Sequence, residues 1–300
     1  MTGAIDQRTG IALRPLSEGA NIRTWIGFKH FMYLTEEAIL DWFRDRGLGP
    51  SVLFRDYGLG LSVVDSSVQL PAVLDLDDTV EAHVTGGPAR FTVRLYARRA
   101  GRPAVLRGRV TMALIPEPDA PPGVAPPPEL APLLAGRPDP AAGAMAGCGP
   151  GELASPGAGA FVHRWRVPYF FCQYSRRIQH SGYVRALEDV VDRFLADREL
   201  SIGTMLSSRG WIPVVSRARV SIIADAVLEE TLYTVFTVTD VFKRVSFDAR
   251  VDWYAERDGA RVHTATGQIL HAYAVARGER AGQLAGLDDA TIAALTGGAR

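Results

Sequence analysis

The feature that most limits what this chain can fold into is that its two halves run the same order of elements. Each half reads as a short strand, a long amphipathic helix and then four alternating strands, and residues in matching places are alike. Lys29-His30-Phe31-Met32-Tyr33 aligns with Gln179-His180-Ser181-Gly182-Tyr183 at a spacing of 150 residues. Asp78-Thr79-Val80 aligns with Glu230-Thr231-Leu232 at 152, and Leu95-Tyr96-Ala97-Arg98-Arg99-Ala100-Gly101 with Trp253-Tyr254-Ala255-Glu256-Arg257-Asp258-Gly259 at 158. The spacing grows in one direction, as loop insertions in the second copy would make it do. One helix cannot cover both faces of a sheet, but it covers one face if the sheet curls around it. Two such copies can join their sheets and remove an exposed edge strand. The predicted class is therefore α+β, with two tandem antiparallel sheets each wrapped around a long central helix.

In the first copy, residues 1–116, a strand at Ile11–Leu16 precedes an aromatic loop and a helix over Tyr33–Arg46. Glu36 and Glu37 then fall in its first turn, where carboxylates suit the helix dipole, and Gly47 and Gly49-Pro50 stop it. Strands follow at Leu61–Leu70, Thr79–Val84, Phe91–Arg98 and Val105–Ile115, read as a meander with a hairpin turn at Ala100-Gly101. Residues 117–160 are almost all Pro, Gly and Ala and read as a linker with little for a core to bury. The second copy, residues 161–300, has a strand over Phe161–Phe171, a polar loop and a helix over Tyr183–Arg198. Strands at Trp211–Ile223, Thr231–Phe242, Phe247–Glu256 and Arg261–Ala274 come next, with a two-residue turn at Asp258-Gly259, and a helix closes the chain near Asp288–Leu295.

Composition excludes several classes. The hydrophobic fraction of 47% supports full cores, and a formal net charge of +0 leaves no field to hold nucleic acid or an anionic membrane. Nearly all basic residues are Arg, which with the Ala, Gly and Pro content suggests a GC-rich bacterial genome. Cys148 and Cys172 form neither a disulfide framework nor a zinc spacing. The N-terminus has no apolar signal core, and no apolar run reaches the roughly 20 residues of a membrane span. The chain reads as soluble and cytoplasmic.

Chemistry concentrates at the start of the second long helix. The polar loop delivers His180 where unpaired backbone N–H groups and the positive end of the helix dipole point outward. A histidine beside such donors can polarise a carbonyl; the same residue can also simply hold backbone groups at a helix start.

This loop and helix resemble those of hot-dog fold acyl-CoA thioesterases of the hydroxybenzoyl-CoA thioesterase type, whose pattern is roughly D-x-x-G-x-V-x-H-x-x-Y before a helix with an early Glu. In the second copy the matching positions are Gln173, Arg176, Ile178, His180 and Tyr183, with Glu188 in the helix; in the first they are Arg23, Ile26, Phe28, His30 and Tyr33. The resemblance implies a double hot-dog, one family dimer fused in a single chain, with further association into a homodimer open. It implies an acyl-CoA or acyl-carrier-protein thioester as partner, with coenzyme A or phosphopantetheine present only as part of the substrate. No metal or redox cofactor is implied. Where the family has Asp as nucleophile or base, this chain has Gln173 and Arg23, and an amide orients water without taking its proton.

On this resemblance the candidate catalytic residues are His180, Gln173, Glu188, Tyr183 and His30, with Asp189, Glu36 and Glu37 as further carboxylates. Gly182 would offer a backbone N–H to the thioester oxygen, and Arg176 and Arg177 would meet the phosphates of the carrier. Tyr33 would line the site, and Tyr57 reads either as an acyl acceptor or as a packing residue. The expected activity is hydrolysis of the thioester in bacterial biosynthetic metabolism. Dehydration or hydration, acyl transfer with decarboxylation, and binding without catalysis are the other activities open to such a chain.

Overall fold

The structure, a computed structural model, describes residues 8–87, 89–135, 144–145, 159–174 and 176–297. Two compact units emerge. The first is built on Met1–Pro138 with Tyr169–Gly182, and the second on Asp139–Pro168 with Tyr183–Arg300.

The first unit begins with β1 (Arg8–Leu13), followed by helices α1 (Phe28–Arg44) and α2 (Pro50–Tyr57). Four strands come next: β2 (Leu59–Gln69), β3 (Val80–Gly86), β4 (Arg90–Ala97) and β5 (Ala104–Pro116), then a short α3 (Ala131–Ala135). The strands form an antiparallel sheet in the order β1-β3-β4-β5-β2. The meander expected of the four strands holds only for β3, β4 and β5; β2 crosses to the far side and pairs with β5.

Helix α1 starts five residues earlier than its sequence pattern suggested. The aromatic residues read as a loop are its buried stripe: Phe28, Phe31, Met32, Thr35, Ala38 and Ile39 recur at helical spacing and are all buried. The same stripe ends in Phe43, whose ring meets Phe91 of β4 edge-on at 5.7 Å. Glu36 and Glu37 consequently stand in the third turn, not the first. Gly49-Pro50, expected to stop α1, opens α2, since proline at a first helical position loses no hydrogen bond. The stretch expected to be a bare linker begins with residues that pack: Glu117, Leu130 and Leu133 are buried. Most of its remainder, Cys148 included, lies outside the described residues.

The second unit repeats the plan. β6 (Ala144–Met145) and β7 (Phe161–Arg166) precede two residue pairs, β8 (Cys172–Gln173) and β9 (Arg177–Ile178), which with their loop belong to the first unit. Helices α4 (His180–Asp197) and α5 (Ile202–Arg209) follow. Strands β10 (Trp211–Ile222), β11 (Thr231–Phe242), β12 (Ser246–Arg257) and β13 (Ala260–Val275) build a sheet ordered β7-β11-β12-β13-β10, and α6 (Asp289–Thr296) closes the chain. β6 pairs with β13. Along α4, Tyr183, Val184, Leu187, Val190, Val191, Phe194 and Leu195 are buried, and Phe194 packs on Phe236 of β11 at 4.7 Å. The Asp258-Gly259 turn has φ of 48° and 76°, the left-handed pair that a two-residue hairpin requires.

The two units match in detail. Both β2 and β10 carry a bulge at the same point, between Val63 and Asp65 and between Val215 and Arg217. Both α2 and α5 end on a left-handed glycine, Gly58 and Gly210. The Asp78 carboxylate accepts the Asp75 N–H at 2.9 Å and pairs with Arg99, whose guanidinium also donates to the Val73 carbonyl. Glu230 does the same with Val227 N–H at 2.8 Å and with Arg257, which donates to the Asp225 carbonyl. A long helix clasped by a sheet, made twice with the same bulges, caps and ion pairs, is the duplicated architecture the sequence predicts.

Candidate functional site

The loop before α4 is closed on itself by backbone bonds and tied to the end of β5 by a buried ion pair. Gln179 N–H donates to the Phe171 carbonyl at 3.0 Å, and the β8–β9 ladder sets Gln173 opposite Arg177. Tyr174, at the turn of that ladder, has a φ of 60°, in the left-handed region. Arg177 reaches Glu117 at the end of β5; the Glu117 side chain is 0% exposed and that of Arg177 13%. Gly60 in β2 makes room for this pair, because a Cβ there would lie 2.0 Å from a Glu117 carboxylate oxygen and 2.9 Å from the Tyr174 ring. Tyr174 stacks on Phe54 of α2 at 5.8 Å. Its phenol pKa is pushed up to about 12 by burial, and the negative charge of Glu36 adds to the shift.

This anchoring places His180, the first residue of α4, against β2. Its Nε2 is 2.8 Å from Ser66 Oγ, and the two residues are 4% and 2% exposed. Burial lowers the imidazole pKa to about 4, with the negative charge of Asp65, the neighbour of Ser66 on β2, opposing the shift. His180 is therefore neutral at physiological pH and keeps a nitrogen lone pair available to take a proton. Ser66, Asp65 and Tyr174 are absent from the residues the sequence motif picks out. The signal for Ser66 was a serine at an inward register of β2, next in the buried series to Val63 and ahead of Val68.

The other candidates are placed as follows. Gln173 sits on the β8–β9 ladder, half-buried, and Arg176 is exposed in the loop beside it. Gly182 has no room for a side chain, since a Cβ would lie 3.0 Å from the Phe171 carbonyl oxygen and 2.9 Å from Ile178. Its N–H donates to the Gln179 carbonyl at 2.9 Å. Tyr183 is fully buried in the second unit against Trp253, with ring centroids 5.4 Å apart. Glu188 lies in the third turn of α4, half-buried, and Asp189 beside it pairs with Arg193 at 2.8 Å and with His163 at 3.6 Å. Tyr57 ends α2, and its backbone lies against Gly123. His30 is buried in α1 with its ring 5.0 Å from the Tyr33 ring, and its Nε2 has no hydrogen-bond partner among the described residues. Burial, helped by the charge of Lys29, lowers its pKa.

The backbone corrects the alignment of the two histidines. Gly27 N–H donates to the Gly19 carbonyl at 2.9 Å, the counterpart of the Gln179–Phe171 bond, and His30 N–H donates to Gly27 as Gly182 does to Gln179. The true spacing at the helix starts is 152, the same as at Asp78 and Glu230. His30 thus corresponds to Gly182, and His180 to Phe28. The two copies fill one spot in opposite ways: Gly19 admits the His30 ring, which would lie 2.7 Å from a Cβ there, while Gly182 admits Phe171. By strand register Ser66 corresponds to Ala218 and Asp65 to Arg217. At the positions the repeat matches to His180, Ser66 and Asp65 stand Phe28, Ala218 and Arg217, which are apolar or oppositely charged.

Among the described residues no cluster of His, Cys, Asp and Glu could hold a metal ion, and no helix is long and apolar enough to cross a membrane. No protein-family model matches the chain, and no curated protein matches it in sequence. Solved structures do match it. An acyl-ACP thioesterase from Bacteroides thetaiotaomicron is 10% identical, with a TM-score of 0.55 over 88% of this chain and 97% of that one. The 12:0-ACP thioesterase from Umbellularia californica is 12% identical, with a TM-score of 0.58 over 91% of this chain and 99% of that one. The fold is a double hot-dog. A protein assigned as an oleoyl thioesterase from Lactobacillus plantarum, 11% identical, shares it with a TM-score of 0.60 over 89% of this chain and 96% of that one. At these identities the likeness is one of fold, and the double hot-dog described here has to be read for function from its own residues.

Proposed function

We propose that this double hot-dog hydrolyses an acyl thioester carried by coenzyme A or by an acyl carrier protein. The observation that supports it most is His180: a buried, neutral imidazole at the start of a long helix, hydrogen-bonded to a serine hydroxyl. In this reading the thioester carbonyl lies at the N-terminus of α4, where the helix dipole favours the negative charge that develops on its oxygen. His180 takes the proton of the attacking group as general base, and Gln173 orients water without ionising. Arg176 meets the phosphates of the carrier, since Arg177 is committed to Glu117. The fold of the acyl-ACP thioesterases it resembles supports a carrier-borne acyl group as substrate.

The test is free-thiol release from a panel of acyl-CoA and acyl-carrier substrates. Release that falls by ~100-fold or more in His180→Ala, the scale of a lost general base, is the expected result. Release unchanged in that variant, or a substrate that loses water or carbon dioxide with its thioester intact, would overturn the reading.

A further inference from the structure

We infer that Ser66 is the nucleophile of this site and that turnover passes through an acyl ester on its hydroxyl oxygen. This rests on the thioester reading above and goes beyond it, because hydrolysis by a His180-activated water needs no covalent intermediate.

Packing alone gives no reason for the pair. A hydroxyl and an imidazole taken out of water cost free energy that one neutral hydrogen bond does little more than offset. The positions that the repeat matches to these two show what the same backbone accepts without polar atoms: Phe28, 6% exposed, and Ala218, 2% exposed. A fold that packs phenylalanine and alanine at these places needs neither His180 nor Ser66 for stability. What the polar pair adds is a hydroxyl within 2.8 Å of a neutral ring nitrogen, the relation in which a base activates a weak nucleophile. Of the two long-helix starts among the described residues, the arrangement occurs at one.

The chemistry balances without any added reagent. In the tautomer with its proton on Nδ1, His180 accepts from the Ser66 hydroxyl at Nε2, and as Oγ attacks the thioester carbonyl carbon its proton passes to that nitrogen. The new C–O bond forms, the C–S bond breaks with its electron pair going to sulfur, and the thiolate takes the proton from the imidazolium. Water then attacks the acyl ester, gives its proton to Nε2, and the C–O bond to Ser66 breaks as the serine is reprotonated. The sum is thioester plus water giving acid plus thiol. A strand-borne serine suits this role because β2 fixes its direction, and the Arg177–Glu117 pair fixes the loop that presents the histidine.

The experiment uses the full chain and two probes. One is a fluorophosphonate, which reports an activated serine whatever the acyl group; the other is the acyl-CoA and acyl-carrier panel, quenched in acid for intact-mass and peptide mapping. The expected result is a fluorophosphonate adduct on Ser66 that is lost in His180→Gln, and an acyl mass on the same residue. Ser66→Ala should lose thiol release by ~100-fold or more while keeping its melting temperature. Ser66→Cys should accumulate an acyl mass of its own, a readout that a merely structural serine would not produce. Thiol release with no adduct on Ser66, and a Ser66→Ala rate within about threefold of the parent, would overturn the serine route and leave hydrolysis by water at His180 standing. A fluorophosphonate adduct on Ser66 without thiol release from any substrate would support the dyad and count against the hydrolase reading. Neither adduct nor release would overturn both.

Discussion

The Glu117–Arg177 pair offers the sharpest test of how the loop before α4 is held. The Glu117 side chain is out of water and that of Arg177 mostly so, and Gly60 leaves the carboxylate the space it occupies. Removing one partner takes from the other the opposite charge it faces, a change that costs about 3–5 kcal/mol in comparable buried pairs. Glu117→Ala does this to the Arg177 guanidinium, and Arg177→Met to the Glu117 carboxylate. Replacing both together, as Glu117→Leu with Arg177→Met, should recover most of the loss, since an apolar pair of similar volume needs no solvation. The same geometry predicts a coupling with Gly60. A methyl group there would strike the Glu117 carboxylate, and that contact is costly because Arg177 prevents the carboxylate from swinging away. Gly60→Ala should therefore cost about 1–3 kcal/mol in the parent, the scale of overpacking, and clearly less in Glu117→Ala, with the remainder coming from the Tyr174 ring. Urea denaturation of the four combinations gives the coupling energy directly. Single variants that lose less than about 1 kcal/mol, within the range of an exposed ion pair, would refute the argument that this pair is buried and anchors the loop. So would a Gly60→Ala cost that is the same in both backgrounds.

Two further predictions concern the fold. His180 and His271 are each buried with a pKa near 4, against 6.5 when exposed. The unfolded chain then takes up a proton that the folded chain refuses, so stability present above about pH 6.5 should decline as pH falls towards 4. Each histidine contributes up to about 3 kcal/mol to this slope. Denaturation midpoints from pH 7 to 4 should show the decline, and His271→Phe should flatten part of it; a slope unchanged by that substitution would contradict the assignment. The duplicated ion pairs should cost alike: Asp78→Ala and Glu230→Ala each remove a carboxylate that caps a turn and receives an arginine, so each should destabilise by about 1–3 kcal/mol. Values that differ by more than about 2 kcal/mol in melting experiments would show that the two copies do not use the bonds in the same way.

Much of the double hot-dog is written in local pattern. Alternation marks β3, β4 and β5 and their counterparts, the Asp258-Gly259 dipeptide marks its hairpin, and the duplication follows from matched segments such as Asp78-Thr79-Val80 and Glu230-Thr231-Leu232. These features are legible because burial of one face, or a left-handed turn, constrains residues that are neighbours in the chain. His180 was also legible, since its place at a helix start depends only on the residues around it. Its partner was not: Ser66 is 114 residues away, and nothing in either segment says which strand the helix start will meet. The alignment of His30 with His180 misled for the same reason, because like residues were matched where only the backbone bonds of Gly27 and Gln179 show that Phe28 and His180 are equivalent. Glu117 looked like the first residue of a linker until the tertiary structure closed it over Arg177. Periodicity specifies which face of an element is hidden, whereas the group that lies opposite is chosen by topology, and in this protein that choice joins a histidine to a serine at the start of one long helix and not at the start of the other.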